Sequence, residues 1–146
     1  MSYSHILVAI DLTADCNIVL KKAHELAETY QARLSITHVM DPINMAFGGE
    51  IPVDISSLQQ QQFEQTQKQL HAIIENYPLT NQERLHLSFG QTRQEIHNLT
   101  EEINCDLIVV GTHGRHGIAL LFGSTANEIL HGTSCDILAV KLDEKK

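Results

Sequence analysis

The chain has 146 residues, with 10 basic and 18 acidic side chains and a formal net charge of −8. This length suits one ordinary domain with a single sizeable core, taken here as 1–146. The negative charge argues against a protein-wide attraction to nucleic acid or to an anionic membrane, so an anionic ligand needs a local trap. Cys16, Cys105 and Cys135 are odd in number and show no paired spacing. No disulfide framework is expected, which fits a reducing cytoplasm. No charged-then-apolar leader pattern is seen, and no apolar run approaches the length of a membrane span.

In chain order, residues 5–10, "HILVAI", form a nearly continuous apolar run and read as a strand buried on both faces. Asp11, Thr13 and Asp15 follow as candidate helix caps. Val19, Ala23, Leu26, Ala27 and Tyr30 then recur at helical spacing. "RLSITHV" (33–39) reads as a second strand. Residues 41–57 carry turn residues and weak periodicity, and a connection this long is expected to be a lid or disordered. Residues 58–77 are rich in glutamine, yet Phe63, Leu70, Ile74 and Tyr77 share a helical stripe, which predicts a solvated amphipathic helix. "ERLHLSF" (83–89) is a third strand, and Ile96, Leu99 and Ile103 mark a third helix. "DLIVV" (106–110) is a fourth strand, a fourth helix is expected from about Thr125, and "DILAV" (136–140) is a fifth strand. This alternation predicts a five-stranded parallel sheet with helices on both faces. Ligands of such sheets sit at the carboxyl ends of the strands, where the strand order reverses. Asp11, the connection after Val39 and the connection after Gly111 all leave from those ends.

The stretch "GTHGRHGIALLFGSTANEIL" (111–130) holds four of the eight glycines. Glycine permits positive φ and close approach of another group to the backbone. Successive turned N–H groups make an anion site, and a following helix N-terminus adds unpaired N–H groups. Arg115 adds a fork of donors for phosphate oxygens. The pattern is not a P-loop, because no lysine follows the last glycine, and it is not a dinucleotide fingerprint, which belongs after the first strand. The plainer alternative is a tight strand-to-helix crossover, with Thr125 and Glu128 closing a capping box that satisfies the helix end without a ligand.

"SHILVAIDLTAD", "HVMDP" and "VVGTHGRHGIALLFGSTANEILH" resemble, in order and spacing over essentially the whole chain, the bacterial universal stress protein family, closest to its small single-domain members. The resemblance implies a Rossmann-like sheet in the order 3-2-1-4-5 and a homodimer, with the Asp136–Val140 strand at the sheet edge. Many members bind ATP through a G-x2-G-x9-G-[S/T] motif, while others lack the glycines and are not known as ATP binders. Carried over, Gly111 and Gly114 match the first two glycines, and Gly123 and Ser124 match the last pair. Arg115 and Thr125 adjoin them and complete the expected phosphate contacts. Asp11 matches the acidic residue near adenine and ribose, and Val39 the apolar residue whose backbone meets the adenine. This chain departs from the pattern in one respect: only eight residues, Arg115 to Phe122, separate Gly114 from Gly123.

The remaining chemistry-bearing residues have plainer readings. His113 and His116 lack further convergent ligands, so no metal site is assigned. Asp11 and Asp41 could together hold a divalent ion such as Mg on bound ATP, although capping or solvated roles suit each better. His38 reads as a hydrogen-bonded half-core residue, and His131 and Cys135 as flanking a turn. No cysteine has both a base and an orienting partner, which leaves nucleophilic catalysis without support. The function expected is that of a cytoplasmic, nucleotide-binding (ATP) regulator or sensor in a stress response, with ATP or an AMP-like nucleotide as ligand. The alternatives are a dimeric interaction module of the same fold without nucleotide, and a slow ATPase or autophosphorylating protein with Ser124 or Thr125 as acceptor.

Overall fold

The computed structural model describes residues 3–12, 15–40, 55–75, 83–112 and 135–142. Five strands, β1 (His5–Ala9), β2 (Arg33–Met40), β3 (Glu83–Phe89), β4 (Leu107–Gly111) and β5 (Asp136–Val140), form one sheet in the order β3-β2-β1-β4-β5. Every pairing is parallel. Three helices are described, α1 (Cys16–Tyr30), α2 (Ile55–Ile74) and α3 (Thr92–Ile103). The helix expected from Thr125 lies outside the described residues, as do most of the 41–57 connection and the stretch from His113 to Ser134.

The central strand shows why the sheet is buried on both faces. Ile6, Val8 and Ile10 point to the side covered by α1 and α2, where they meet Val19, Leu20, Ala23, Ala27, Leu70 and Ile74. Leu7 and Ala9 point to the other side and pack with Ile96 and Leu99 of α3. Alternation along a strand sends successive side chains to opposite faces, so only an unbroken apolar run can serve both. The glutamine-rich segment is a helix, as its stripe predicts. Leu70 is fully buried and Ile74 nearly so, while Gln61, Gln65, Gln67 and Gln69 stay exposed.

Boundaries differ from the sequence pattern by small amounts with local causes. α2 begins at Ile55, three residues ahead of the expected start. β4 takes in Gly111, which pairs with Val140, and gives up Asp106. Asp106 instead clamps the start of β1, where Oδ2 accepts bonds from Ser4 N at 2.9 Å and Ser4 Oγ at 3.0 Å, and Oδ1 from His5 N at 3.1 Å. Asp15 occupies the N-cap of α1, but its side chain makes no cap hydrogen bond. The far end of α1 closes through Gln31 in the left-handed region (φ 53), with Ala32 N–H donating to Ala27 O at 2.9 Å.

The amino ends of the inner strands are thus tied together by side chains. Tyr3 donates its hydroxyl proton to Asp136 at 2.7 Å and packs edge-on against Tyr30 with ring centroids 5.2 Å apart. His5 is buried beneath α3, with Nδ1 donating to Ile103 O at 3.2 Å and Nε2 accepting from the Ser35 hydroxyl at 2.7 Å. These ties leave the carboxyl ends of β1 and β4 as the place where the sheet can host a ligand.

Candidate nucleotide site

In the observed order the chain leaves β1 toward β2 on one side, and β4 enters on the other. The reversal therefore falls between β1 and β4. At that point Asp11 and Gly111 line one cleft, floored by Ile10 and Leu142 and walled by Asp15 and Cys16 at the start of α1. Its volume is about 10 Å³. That is room for about one water, so the cleft can receive the edge of a ligand but not engulf one.

Local bonds fix the residues around the cleft. Ile10 N–H donates to Thr37 O at 3.0 Å, and His38 Nδ1–H donates to Ile10 O at 2.9 Å. His38 is thereby the hydrogen-bonded, buried residue its position predicts, and it steadies the peptide that leads into Asp11. On the β4 side, Thr112 N–H donates to Val140 O, and Thr112 Oγ1 accepts from Leu142 N–H, both at 3.0 Å. Gly111 therefore stands, itself buried, between a fixed strand and a fixed turn.

The structure brings together Asp11 and Gly111 of the expected site residues. Val39 does not line this cleft. It lies on β2, opposite Ser88 of β3, and its side chain is fully buried in the α3-side core. The last β1–β2 pair is Ala9 with Thr37, so β2 runs on past the end of β1 and carries Val39 beside the switch point on the far side of Asp11. Gly114, Arg115, Gly123, Ser124 and Thr125 lie outside the described residues, as do Asp41, His113, His116 and His131. Among the described residues no group of three or more His, Cys, Asp or Glu side chains could hold a metal ion.

A second, larger concavity of about 380 Å³ runs along β3 and is lined by Phe63, Leu87, His86, Glu95 and Glu102. Two carboxylates in its wall oppose a phosphate, and it lies away from the strand ends that carry Asp11 and Gly111.

A family model described as the universal stress protein family matches residues 2–141. The chain belongs to that family. Among curated relatives, it is 40% identical over 145 residues to universal stress protein A homolog 1 of Coxiella burnetii, covering 99% of this chain and 100% of the relative. In fold this universal stress protein is similar to the universal stress protein UspA from Lactobacillus plantarum, with a TM-score of 0.68, 20% identity, and coverage of 96% and 99% of the two chains. It is also similar to the universal stress protein from Archaeoglobus fulgidus whose structure is a complex with dAMP, with a TM-score of 0.60, 22% identity, and coverage of 95% and 98%. The α/β architecture with the 3-2-1-4-5 sheet is common to this fold. No helix among the described residues is long and apolar enough to cross a membrane.

Proposed function

We propose that this universal stress protein binds an adenine nucleotide, ATP in the first instance, at the carboxyl ends of β1 and β4, and serves as a cytoplasmic regulator or sensor. The observation that carries this reading is the shared cleft of Asp11 and Gly111 at the switch point. Gly111 is also the first glycine of the 111–124 pattern, so the cleft and the pattern meet at one residue.

The charges in the cleft give the ligand a direction. Asp11 and Asp15 repel a phosphate but accept hydrogen bonds from ribose hydroxyls or an adenine amino group. The sugar and base therefore belong beside Asp11, with the adenine toward Val39. The phosphates belong with the chain that follows Gly111, where Gly114, Arg115, Gly123, Ser124 and Thr125 supply backbone amides, a guanidinium and hydroxyls. The dAMP complex of the Archaeoglobus fulgidus relative supports an adenine nucleotide as the ligand class.

The eight-residue spacing between Gly114 and Gly123 favours a second reading, a dimeric interaction module that works without nucleotide. The two readings part on the ligand content of freshly purified protein. Denaturation followed by mass spectrometry should release an adenine nucleotide at a substantial fraction of the protein's molar amount. Protein that is free of nucleotide and stays so after incubation with ATP and desalting would favour the interaction module.

A further inference from the structure

The three cysteines are free thiols, and two of them touch. Cys105 Sγ and Cys135 Sγ are 3.5 Å apart, although 30 positions separate them in sequence. The sheet brings them together. Asp106 N–H donates to His5 O at 2.9 Å, and Asp136 N–H donates to Asp106 O at 3.0 Å, so both backbones are held at the amino ends of the β4–β5 ladder. Cys105 follows Asn104, whose left-handed conformation (φ 53) ends α3 and turns the chain into β4.

The two sulfurs differ in access. Cys105 is buried at 4% exposure, whereas Cys135 is partly exposed. An oxidant therefore meets Cys135 first, with the Cys105 sulfur in contact behind it. In the thiol form Cys135 donates to Cys105 O at 2.7 Å. The contact with Cys105 lowers the pKa of Cys135, against its burial and the carboxylates of Asp106 and Asp136. The same contact, together with burial, pushes the Cys105 thiol up. The thiolate is the nucleophile, so these differences divide the roles between an attacking and a resolving sulfur.

We propose that Cys105 and Cys135 form a reversible disulfide driven by hydrogen peroxide, at the end of the sheet opposite the Asp11–Gly111 cleft. Cys135 loses its proton to water, and its thiolate attacks one peroxide oxygen. An S–O bond forms, the O–O bond breaks, and the departing hydroxide takes up a proton to become water. The Cys105 sulfur then attacks the Cys135 sulfur of this sulfenic acid. The S–S bond forms, the S–O bond breaks, and the leaving hydroxide departs as water with the Cys105 proton. Two thiols and one peroxide give one disulfide and two waters, and a dithiol reductant restores the thiols as it becomes a disulfide itself. The sulfurs must close from contact to the bonded distance of about 2.05 Å, a short movement for two side chains held just ahead of neighbouring strands. The bond would tie together the two ends of residues 106–134, the stretch that carries the whole glycine pattern.

The test uses the full chain, reduced, desalted and exposed to a modest molar excess of hydrogen peroxide. The intact mass should fall by two hydrogens and return with dithiothreitol. Peptide mapping should join Cys105 to Cys135, and Cys16 should remain open to alkylation after denaturation. Cys16→Ser should lose the same two hydrogens. Cys105→Ser should gain oxygen at Cys135 instead, and Cys135→Ser should oxidise at Cys105 at least about tenfold more slowly than Cys135 reacts in the parent. The mapping of the parent protein decides the matter even if a variant fails to fold. The proposal is overturned by oxygen uptake without loss of hydrogen, by a bridge that includes Cys16, by covalent dimers as the main product, or by three unreacted thiols.

Discussion

The carboxylate of Asp106 and the first residue ahead of β1, Ser4, are joined by two hydrogen bonds, from Ser4 N at 2.9 Å and Ser4 Oγ at 3.0 Å. A third bond, from His5 N at 3.1 Å, completes the grip. It spans about a hundred residues of sequence and fixes where β4 lies beside β1. Since the proposed site is the gap between the far ends of those same strands, the grip sets the geometry of the cleft from the opposite edge of the sheet.

Asp106→Asn should destabilise the fold by about 1–2 kcal/mol at neutral pH, because the new amide turns a donor toward N–H groups that need an acceptor. Burial pushes the Asp106 carboxyl up, but the bonds from Ser4 N, His5 N and Ser4 Oγ outweigh it and hold the pKa below its ordinary 3.8. The sign follows directly. A depressed carboxylate contributes stability above 3.8 that is lost as the pH falls through the folded value. Urea denaturation of parent and variant should therefore converge in acid, and a stability gap that is as wide in acid as at neutral pH would count against the charged grip.

His5 titrates in the opposite sense chemically but shares the dependence on pH. Burial first, and then the charge of Arg33, lower its pKa from 6.5. The unfolded chain binds a proton that the folded chain refuses, so the His5 contribution is complete above 6.5 and is lost as the pH drops through the folded value. The His5 imidazole followed by NMR should titrate below its ordinary value. Ser35→Ala, which leaves buried Nε2 without the hydroxyl 2.7 Å away, should cost about 1–3 kcal/mol. An imidazole titrating at or above 6.5 would contradict this placement of His5.

β5 closes the described sheet with β4 as its one neighbour, and its last four residues are only partly buried. Unpaired edges invite pairing, and a two-fold partner strand would cover this one with its own copy. Light scattering should return a dimer mass that falls toward the monomer on dilution. A monomer mass at every concentration would exclude a dimer through Asp136–Val140.

Much of this architecture is legible in the sequence because its physical causes are local. "ILVA" and "LIVV" are apolar at consecutive positions, as suits a strand covered on both faces, and the α1 and α2 stripes survive a polar or glutamine-rich background. The strand order follows from the family resemblance, since alternation alone does not choose it. Asp106 and the Cys105–Cys135 contact escape a reading of spacings because both depend on the parallel register. That register sets Leu107 against Asp136 and so places Asp106 and Cys135 side by side. The signal is nonetheless present in "CDLIVV" and "CDILAV", two similar segments that each open with cysteine and aspartate. Paired in parallel, such segments must bring their leading residues to one end of the sheet. Asp11 and Gly111 were legible because strand ends at a switch point converge whatever the side chains. Val39 falls near the end of β2, and its burial opposite β3 depends on packing that the motif does not encode.

The shortened stretch between Gly114 and Gly123 makes its own prediction. Gly117 is the only residue within it that lacks a Cβ, so it can absorb the missing position by taking a positive φ. Inserting one residue after Gly117 should then change ATP affinity by less than about tenfold, or roughly 1.4 kcal/mol. An insertion that creates binding in a protein otherwise inert to ATP would show that the short stretch had disabled the site.

Calorimetric titration of ATP into nucleotide-free protein, alongside Gly114→Val and Asp11→Ala, tests the nucleotide site most directly. The parent should bind one ATP per chain. Gly114→Val should abolish binding by keeping phosphate from the backbone, and Asp11→Ala should weaken it by about tenfold through loss of one charged acceptor. Both variants should keep the parent's circular dichroism and unfolding midpoint to within a small shift. Equal ATP affinity in parent and Gly114→Val, or no heat of binding in a folded parent, would contradict a nucleotide site between β1 and β4.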